Sequence, residues 1–331
     1  MHIGRESFFP QPAREAAKEL FKRNVQRVEI ETHSYCNRRC AYCPNVVGDR
    51  LVENKRMSDD VWFLVLRNLQ EIEFAGNVVL NNYNEPLPDK IILDRIREVR
   101  EMVPKARTMI YTNGNYLTPP YIKELADAGL QYMHISIHMG TNDKYSDIYA
   151  LDRISEVTTR IGIAAKFKTI RSKEFLLARA PHGSIDIEIR AINYWKHGTD
   201  RGGLLEGFNV ENARTAPCNF PFSHFHVGFE GTVVPCCHIR SDNEAHRPYR
   251  YGDVRDYGSI FQIYASRVAT EWRRHLISSK EKEGPCRTCP VSFLSQDPKI
   301  LAAAESAWEQ FVRDTPLPEK NAAPAEPAPV A

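Results

Sequence analysis

Three cysteines, Cys36, Cys40 and Cys43, stand four and three residues apart on the segment after the first strand-like run. Three thiolates on one short loop can hold three corners of a cubane iron–sulfur cluster and leave the fourth iron open to an outside ligand. Zinc is the alternative, although structural zinc wants four ligands and no histidine lies just beyond Cys43, His33 preceding it. Three unrelated core thiols are the other alternative. A second set, Cys218, Cys236, Cys237, Cys286 and Cys289, reads C-x12-G-x4-C and then C-x2-C about fifty residues later. Four thiolates, Cys218, Cys236, Cys286 and Cys289, saturate a [4Fe–4S] cluster and leave no iron for substrate. A four-thiolate zinc site is the rival there. Cys237 is the spare: a ligand in place of Cys236, a packed small hydrophobe, or a hydrogen-atom donor.

The chain around these cysteines has ordinary globular composition. It has 331 residues, 42% hydrophobic, with 44 Lys plus Arg against 42 Asp plus Glu, a net charge of +2. That balance excludes a strongly electrostatic nucleic-acid binder. No apolar run is long enough to span a membrane, and the N-terminus lacks the apolar core of a secretory signal. The expected setting is the cytoplasm, where cysteines serve as metal ligands or reactive thiols rather than disulfides.

Strands and helices alternate from Val25 onward. Strand patterns fall at Val25–Thr32, Asn77–Asn81, Thr108–Thr112, Tyr132–His138, Ile161–Ile170 and Ile185–Ile192, with helical periodicity between them. Six strands in this rhythm predict an α/β fold, a partial (β/α)6 barrel, since a full eight-fold barrel needs about 250 residues. The rhythm breaks near Gly202-Gly203. His224–Pro235 reads as a hairpin turning at Glu230-Gly231, and Ser259–Ser279 as a helix. The expected organisation is a leading helix at 1–24, the barrel at 25–208, a small cysteine-rich hairpin and helix domain at 209–293, a helix at 294–312, and a disordered Pro/Ala tail at 313–331.

A C-x3-C-x2-C motif after strand one of a βα barrel resembles the radical S-adenosylmethionine (radical SAM) superfamily. The resemblance implies a [4Fe–4S] cluster whose open iron chelates S-adenosylmethionine. Reductive cleavage of that molecule then yields a 5′-deoxyadenosyl radical that takes a hydrogen atom from substrate. Residue by residue, Tyr42 sits where the family often has an aromatic near the adenine. Glu85 and Pro86 match the end of a Gly-Gly-Glu-Pro motif, while Tyr83 and Asn84 replace its glycines. The Asn84 side-chain oxygen then offers an acceptor for the ammonium group. Asn113 and Gly114 end strand three as in many members, and Ser136 matches a serine near the ribose or carboxylate. His138 stands where an aspartate is common. The second cysteine set is similar to the family's C-terminal auxiliary-cluster domain, called SPASM when complete and twitch when shortened, and implies one auxiliary [4Fe–4S] cluster.

A fully ligated auxiliary cluster implies electron transfer, hence a two-electron oxidation of a small-molecule substrate. The loop Asn193–Gly203 lies between the two cysteine sets. By resemblance to a family dehydrogenase, Arg201 is the expected substrate contact. His197 is the easier proton acceptor near neutral pH. Modification of a ribosomal precursor peptide (cross-linking, oxidation or epimerisation) is the alternative enzyme reading, and a zinc-stabilised interaction module the alternative of another class. An electron donor such as flavodoxin or ferredoxin is the implied partner. The charges at Arg273-Arg274 and Lys280–Glu283 read as a solvated helix end or a dock for that donor.

Overall fold

The computed structural model describes residues 3–48, 50–140, 144–208 and 213–290. The helix expected at 294–312 and the tail at 313–331 lie outside the described residues. The strands are β1 (Arg27–Ile30), β2 (Asn77–Val79), β3 (Arg107–Thr112), β4 (Tyr132–Ile137), β5 (Lys166–Arg171), β6 (Phe175–Arg179), β7 (Asp186–Ile192), β8 (His224–Val227), β9 (Thr232–Val234) and β10 (Gly252–Asp253). They form one open sheet in the order β10-β9-β8-β1-β2-β3-β4-β7-β6-β5. The six neighbours from β8 to β7 run parallel.

Alternation along β1 decides which side of this sheet carries chemistry. Val28 and Ile30 are fully buried in the apolar core, while Arg27 and Glu29 face a cavity on the other side. Helices α1 (Arg14–Asn24), α2 (Asp59–Glu71), α3 (Ile91–Met102), α4 (Pro119–Asp127) and α5 (Asp147–Ile161) supply the covering layer. Each presents an apolar stripe: Val61, Trp62, Val65, Leu66 and Leu69 on α2 are buried. Phe21 of α1 meets the rings of Phe225 and Phe261 edge-on at 5.4 Å. The Thr118 hydroxyl caps α4 by accepting from the Tyr121 N–H, with two prolines following it. Gly162, at φ +70°, ends α5.

The α/β fold with an open, partial barrel is as expected, but its sixth parallel strand is not the expected one. The segment at 161–170 contributes β5, which pairs antiparallel with β6, and β6 pairs antiparallel with β7. Lys166–Arg171 is exposed along most of its length, with Lys166, Lys168 and Arg171 interrupting any apolar run. A parallel barrel strand is buried on both faces and cannot carry that pattern. The sixth parallel strand is β8, which adds to β1 with Arg27 opposite His224 and Glu29 opposite His226.

The expected hairpin is β8–β9, turning at Gly231 with φ +96°. A Cβ there would lie 3.1 Å from the Asp253 carboxylate and 3.2 Å from Val61. The segment 259–279 forms two helices, Ile260–Tyr264 and Arg267–Ile277, because the Ser266 hydroxyl caps a new N-terminus through the Ala269 N–H. Of the charges near its end, Lys280, Glu281 and Glu283 are exposed as expected of a solvated end, but two are not. Arg273 is fully buried, donating to the carbonyls of Ser7, Pro221 and Tyr264. Lys282 is buried too, and its ammonium donates to the carbonyls of Thr215, Ser278 and Lys280. No helix among the described residues is long and apolar enough to cross a membrane.

Candidate active site

The C-terminal ends of the parallel strands open into one cavity of about 450 Å³. Cys36, Cys40 and Cys43 line it from the loop after β1. Asn81, Asn82, Tyr83, Asn84 and Glu85 line it from the turn after β2, Thr112 and Asn113 from the end of β3, and Ser136 and His138 from the end of β4. Four residues from the distant part of the chain close it: Arg201, Phe220, His224, and Cys237 from beyond the β8–β9 hairpin.

Backbone and side-chain bonds fix the cysteine loop to the barrel. The Cys36 N–H donates to the Arg50 carbonyl at 3.1 Å, and the Glu85 N–H donates to the Tyr35 carbonyl at 2.9 Å. Asn113 donates through Nδ2 to Asn37 at 2.8 Å, inside the motif itself. Arg38, which sequence reasoning did not single out, lines the cavity and donates to the Met139 carbonyl at 2.8 Å. Glu85 accepts from the Thr112 hydroxyl at 2.5 Å and from the Asn113 N–H at 2.7 Å. Burial nevertheless pushes its carboxyl up to about 7.

Of two expected contacts, one takes a different form. The Asn84 oxygen accepts from the Asn82 N–H at 3.2 Å, which leaves one of its two lone pairs for a further donor. Its Nδ2 is buried with no partner among the described residues. Tyr42 is not among the cavity-lining residues. Its ring stacks on Tyr194 at 4.3 Å, and its hydroxyl lies 2.9 Å from His138 Nδ1. Burial, and then Arg38, lowers the His138 pKa to about 3, so that ring is neutral.

The structure separates the two residues expected on the loop after β7. Arg201 lines the cavity with a backbone φ of +51°, and its Nε is buried with no partner among the described residues. Its neighbours are pinned: Asp200 accepts from the Thr288 hydroxyl, and His246 Nε2 meets the Gly202 carbonyl at 3.0 Å. His197 does not reach the cavity. It lies on the outer side, 43% exposed, with Nε2 3.7 Å from Glu174. The cavity offers Glu29 and His224 in its place. Strand alternation on β1 was the available signal for Glu29; none marked His224, whose approach depends on the β8–β1 pairing.

The second cysteine set gathers behind Phe220, which both lines the cavity and packs with Cys218 and Cys286. Burial, then the thiols of Cys237, Cys286 and Cys218, holds the Cys236 thiol well above its ordinary range. Arg214 donates to Cys289 Sγ at 3.4 Å. All eight cysteines are free thiols. Among the described residues, no three His, Cys, Asp or Glu side chains are drawn together tightly enough for a single metal ion.

This donor set fits an iron–sulfur cluster with a polar ligand beside it: three unbonded thiols, an orphaned buried amide on Asn84 and an unpaired guanidinium nitrogen on Arg201 share one cavity. The family comparisons agree. Residues 30–170 match the Radical SAM superfamily and residues 218–290 an iron–sulfur cluster-binding domain of the SPASM type. The chain carries a radical SAM domain followed by a SPASM-type iron–sulfur cluster-binding domain. It is similar to the S-adenosyl-L-methionine-dependent 2-deoxy-scyllo-inosamine dehydrogenase of Niallia circulans, 27% identical over 209 residues, covering 63% of this chain and 72% of that protein. It is also similar to the GTP 3′,8-cyclase of Clostridium perfringens, 25% identical over 242 residues, covering 65% and 74%. Its fold is that of BtrN in complex with AdoMet and 2-DOIA, with a TM-score of 0.56 at 23% identity, covering 81% of this chain and 93% of that one.

Proposed function

We propose that the protein oxidises a small polar molecule by two electrons, with SAM and one [4Fe–4S] cluster in the cavity and one auxiliary [4Fe–4S] cluster behind Phe220. The observation that carries this reading is the meeting of Cys36, Cys40 and Cys43 with Asn84, Glu85, Asn113, Ser136 and Arg201 around one cavity. When bound, the first cluster and SAM supply the radical that takes a hydrogen atom from a substrate carbon, and the second cluster receives the electron left behind.

The chain's own residues hold, orient and move protons. Cys36, Cys40 and Cys43 hold the first cluster. Cys218, Cys236, Cys286 and Cys289 hold the second. Asn84, Glu85, Asn113 and Ser136 surround SAM, and Tyr42 backs that wall through its stack on Tyr194. Arg201 holds a substrate oxygen, since a guanidinium is a poor base but a strong donor. His224, kept neutral by burial, is the cavity residue placed to accept the proton in place of His197, beside the ionised carboxylate of Glu29. The Ser223 hydroxyl lies 2.8 Å from His224 Nδ1 and orients that ring, with Nε2 its other nitrogen. A flavodoxin or ferredoxin in the cytoplasm supplies the starting electron.

A specific observation favours one further reading. Cys237 lines the first cavity, where its thiol can return a hydrogen atom to the substrate carbon. The auxiliary cluster, reduced beforehand by the external electron donor, then supplies the electron and solvent the proton that restore the thiol, and the net reaction is an epimerisation.

Anaerobic iron and sulfide analysis tests the proposal. The reconstituted wild type is expected to hold about eight irons and a Cys36, Cys40 and Cys43 triple alanine variant about four. With dithionite, only the wild type forms 5′-deoxyadenosine. Two zinc ions with no iron would overturn the proposal. Turnover in D2O with polyol, aminocyclitol and peptide candidates then separates the readings: oxidised product supports dehydrogenation, and deuterium on a recovered, inverted carbon supports the thiol.

A further inference from the structure

Glu31 is fully buried one residue past β1 and does not line the cavity. Its Oε1 accepts the backbone N–H of Tyr83 at 2.9 Å and of Asn84 at 3.0 Å. These are two successive amides of the turn after β2, both on cavity-lining residues. The same carboxylate is clamped by the Arg50 guanidinium, Oε2 lying 3.2 Å from Nη2. Arg50 is only 2% exposed, and it reaches in turn to Asp242, whose Oδ2 lies 3.1 Å from Nε.

Asp242 belongs to the segment after Cys236 and Cys237. It is also held by Arg240, at 2.8 Å through Nε and 2.7 Å through Nη2. Arg240 closes the circuit by donating at 2.7 Å to the carbonyl of Pro44, the residue after Cys43. A Cβ on Gly48 would come within 2.7 Å of that guanidinium, so the loop is packed directly on it. The Tyr83 hydroxyl makes a second link, donating to the Cys237 carbonyl at 2.5 Å.

Two carboxylates and two guanidiniums balance in charge. Buried pairs of this kind are weak stabilisers, because desolvation offsets most of their attraction. They are strong specifiers of position, since every member has a fixed, directional partner. A carboxylate that accepts from two successive amides fixes the orientation of that turn.

The geometry points to Glu31, Arg50, Asp242 and Arg240 as a positioning network. It sets the SAM-facing turn at Tyr83 and Asn84 from the auxiliary-domain segment, so that a change at Asp242 is felt in SAM binding. This rests on the reading of the cavity as the SAM site.

The test uses reconstituted full-length protein, with Glu31→Gln and Asp242→Asn. Asp242 is the milder change, since its side chain is partly exposed. Three quantities are measured: iron content, equilibrium SAM binding, and amide hydrogen exchange of the 82–87 segment in the same reconstituted protein. Both variants are expected to keep wild-type iron, bind SAM about tenfold more weakly, and lose exchange protection at Tyr83 and Asn84 ahead of the rest of the sheet. Wild-type SAM affinity in both folded variants overturns the proposal. So does a uniform rise in exchange across the sheet, or failure of both variants to fold, either of which assigns the network to stability alone. If the wild type itself binds no SAM, the site reading fails, and the exchange result still decides whether Glu31 and Asp242 set the turn.

Discussion

Cys236 and Cys237 are adjacent in the chain and both pack against Cys218, Phe220 and Cys286, but only Cys237 also lines the cavity shared with Cys36, Cys40 and Cys43. The Cys237 thiol is pushed up to about 12 by burial first and then by Glu29, with Arg201 opposing. The expected outcome is a clean split. Cys236→Ala loses the second cluster and falls to about four irons, and Cys237→Ala keeps about eight. Iron analysis with electron paramagnetic resonance checks it, and equal iron loss in both variants contradicts the assignment.

Arg201 brings a positive charge to the loop that carries Cys43. Burial raises the Cys43 pKa, and Arg201 is the leading influence against that rise. Removing the charge disfavours the added electron on a reduced cluster. Arg201→Met is therefore expected to move the first cluster's midpoint potential to a more negative value. Thr288→Val, which frees Asp200 and loosens the loop, is expected to shift it in the same direction by less. A redox titration monitored by electron paramagnetic resonance measures both. An unchanged potential in Arg201→Met would sink the idea that this side chain faces the cluster.

His197 supplies the matching control. It is 43% exposed and pairs only loosely with Glu174, at 3.7 Å. His197→Ala is expected to leave 5′-deoxyadenosine formation unchanged and to move stability by no more than about 0.5 kcal/mol. A large loss of SAM cleavage in this variant would restore it to the site.

What could be read from sequence depended on how local each signal was. The cysteine motifs, the Glu85-Pro86 turn, Asn113 and Ser136 sit at strand ends, and the run of parallel strands from β1 to β4 follows from the βα rhythm. Features made by distant pairing could not be read in this way. β8 joins β1 across about two hundred residues of chain, which brings His224 beside Arg27. Arg50 meets Asp242 over a similar separation. Arg273 and Lys282 carry surface-type charges, but backbone carbonyls from remote segments satisfy them inside. Composition gives no sign of such partners.

Arg273 therefore has a stability role that its charge disguises. The guanidinium also lies 4.4 Å from the Tyr264 ring centroid. Arg273→Met would leave three buried carbonyls without this donor, for a loss on the order of 3 kcal/mol. Arg273→Lys should restore little of it, since an ammonium on one stem cannot reproduce the planar fork. Urea unfolding of cluster-free protein measures both, and a change under about 0.5 kcal/mol would contradict the assignment.

Glu29 gives the pH dependence a sign. Burial alone would raise its carboxyl, but His226, with Nδ1 3.3 Å away, and then Arg27 outweigh burial and bring it down to about 2. Arg27 Nε lies 2.6 Å from Oε1. An unfolded glutamate titrates near 4.3. A carboxyl depressed on folding contributes stability that is fully present above the unfolded value. That contribution fades as pH falls from there and is gone below about 2. Cluster-free protein is therefore expected to lose stability on acidification from about pH 4.3 downward. Glu29→Gln should be less stable near neutral pH and show a shallower acid slope, because the amide does not titrate in this range. Thermal unfolding across pH 2.5 to 7 measures both slopes. Equal slopes in the two proteins would show that the Glu29, His226 and Arg27 contacts carry no net linkage.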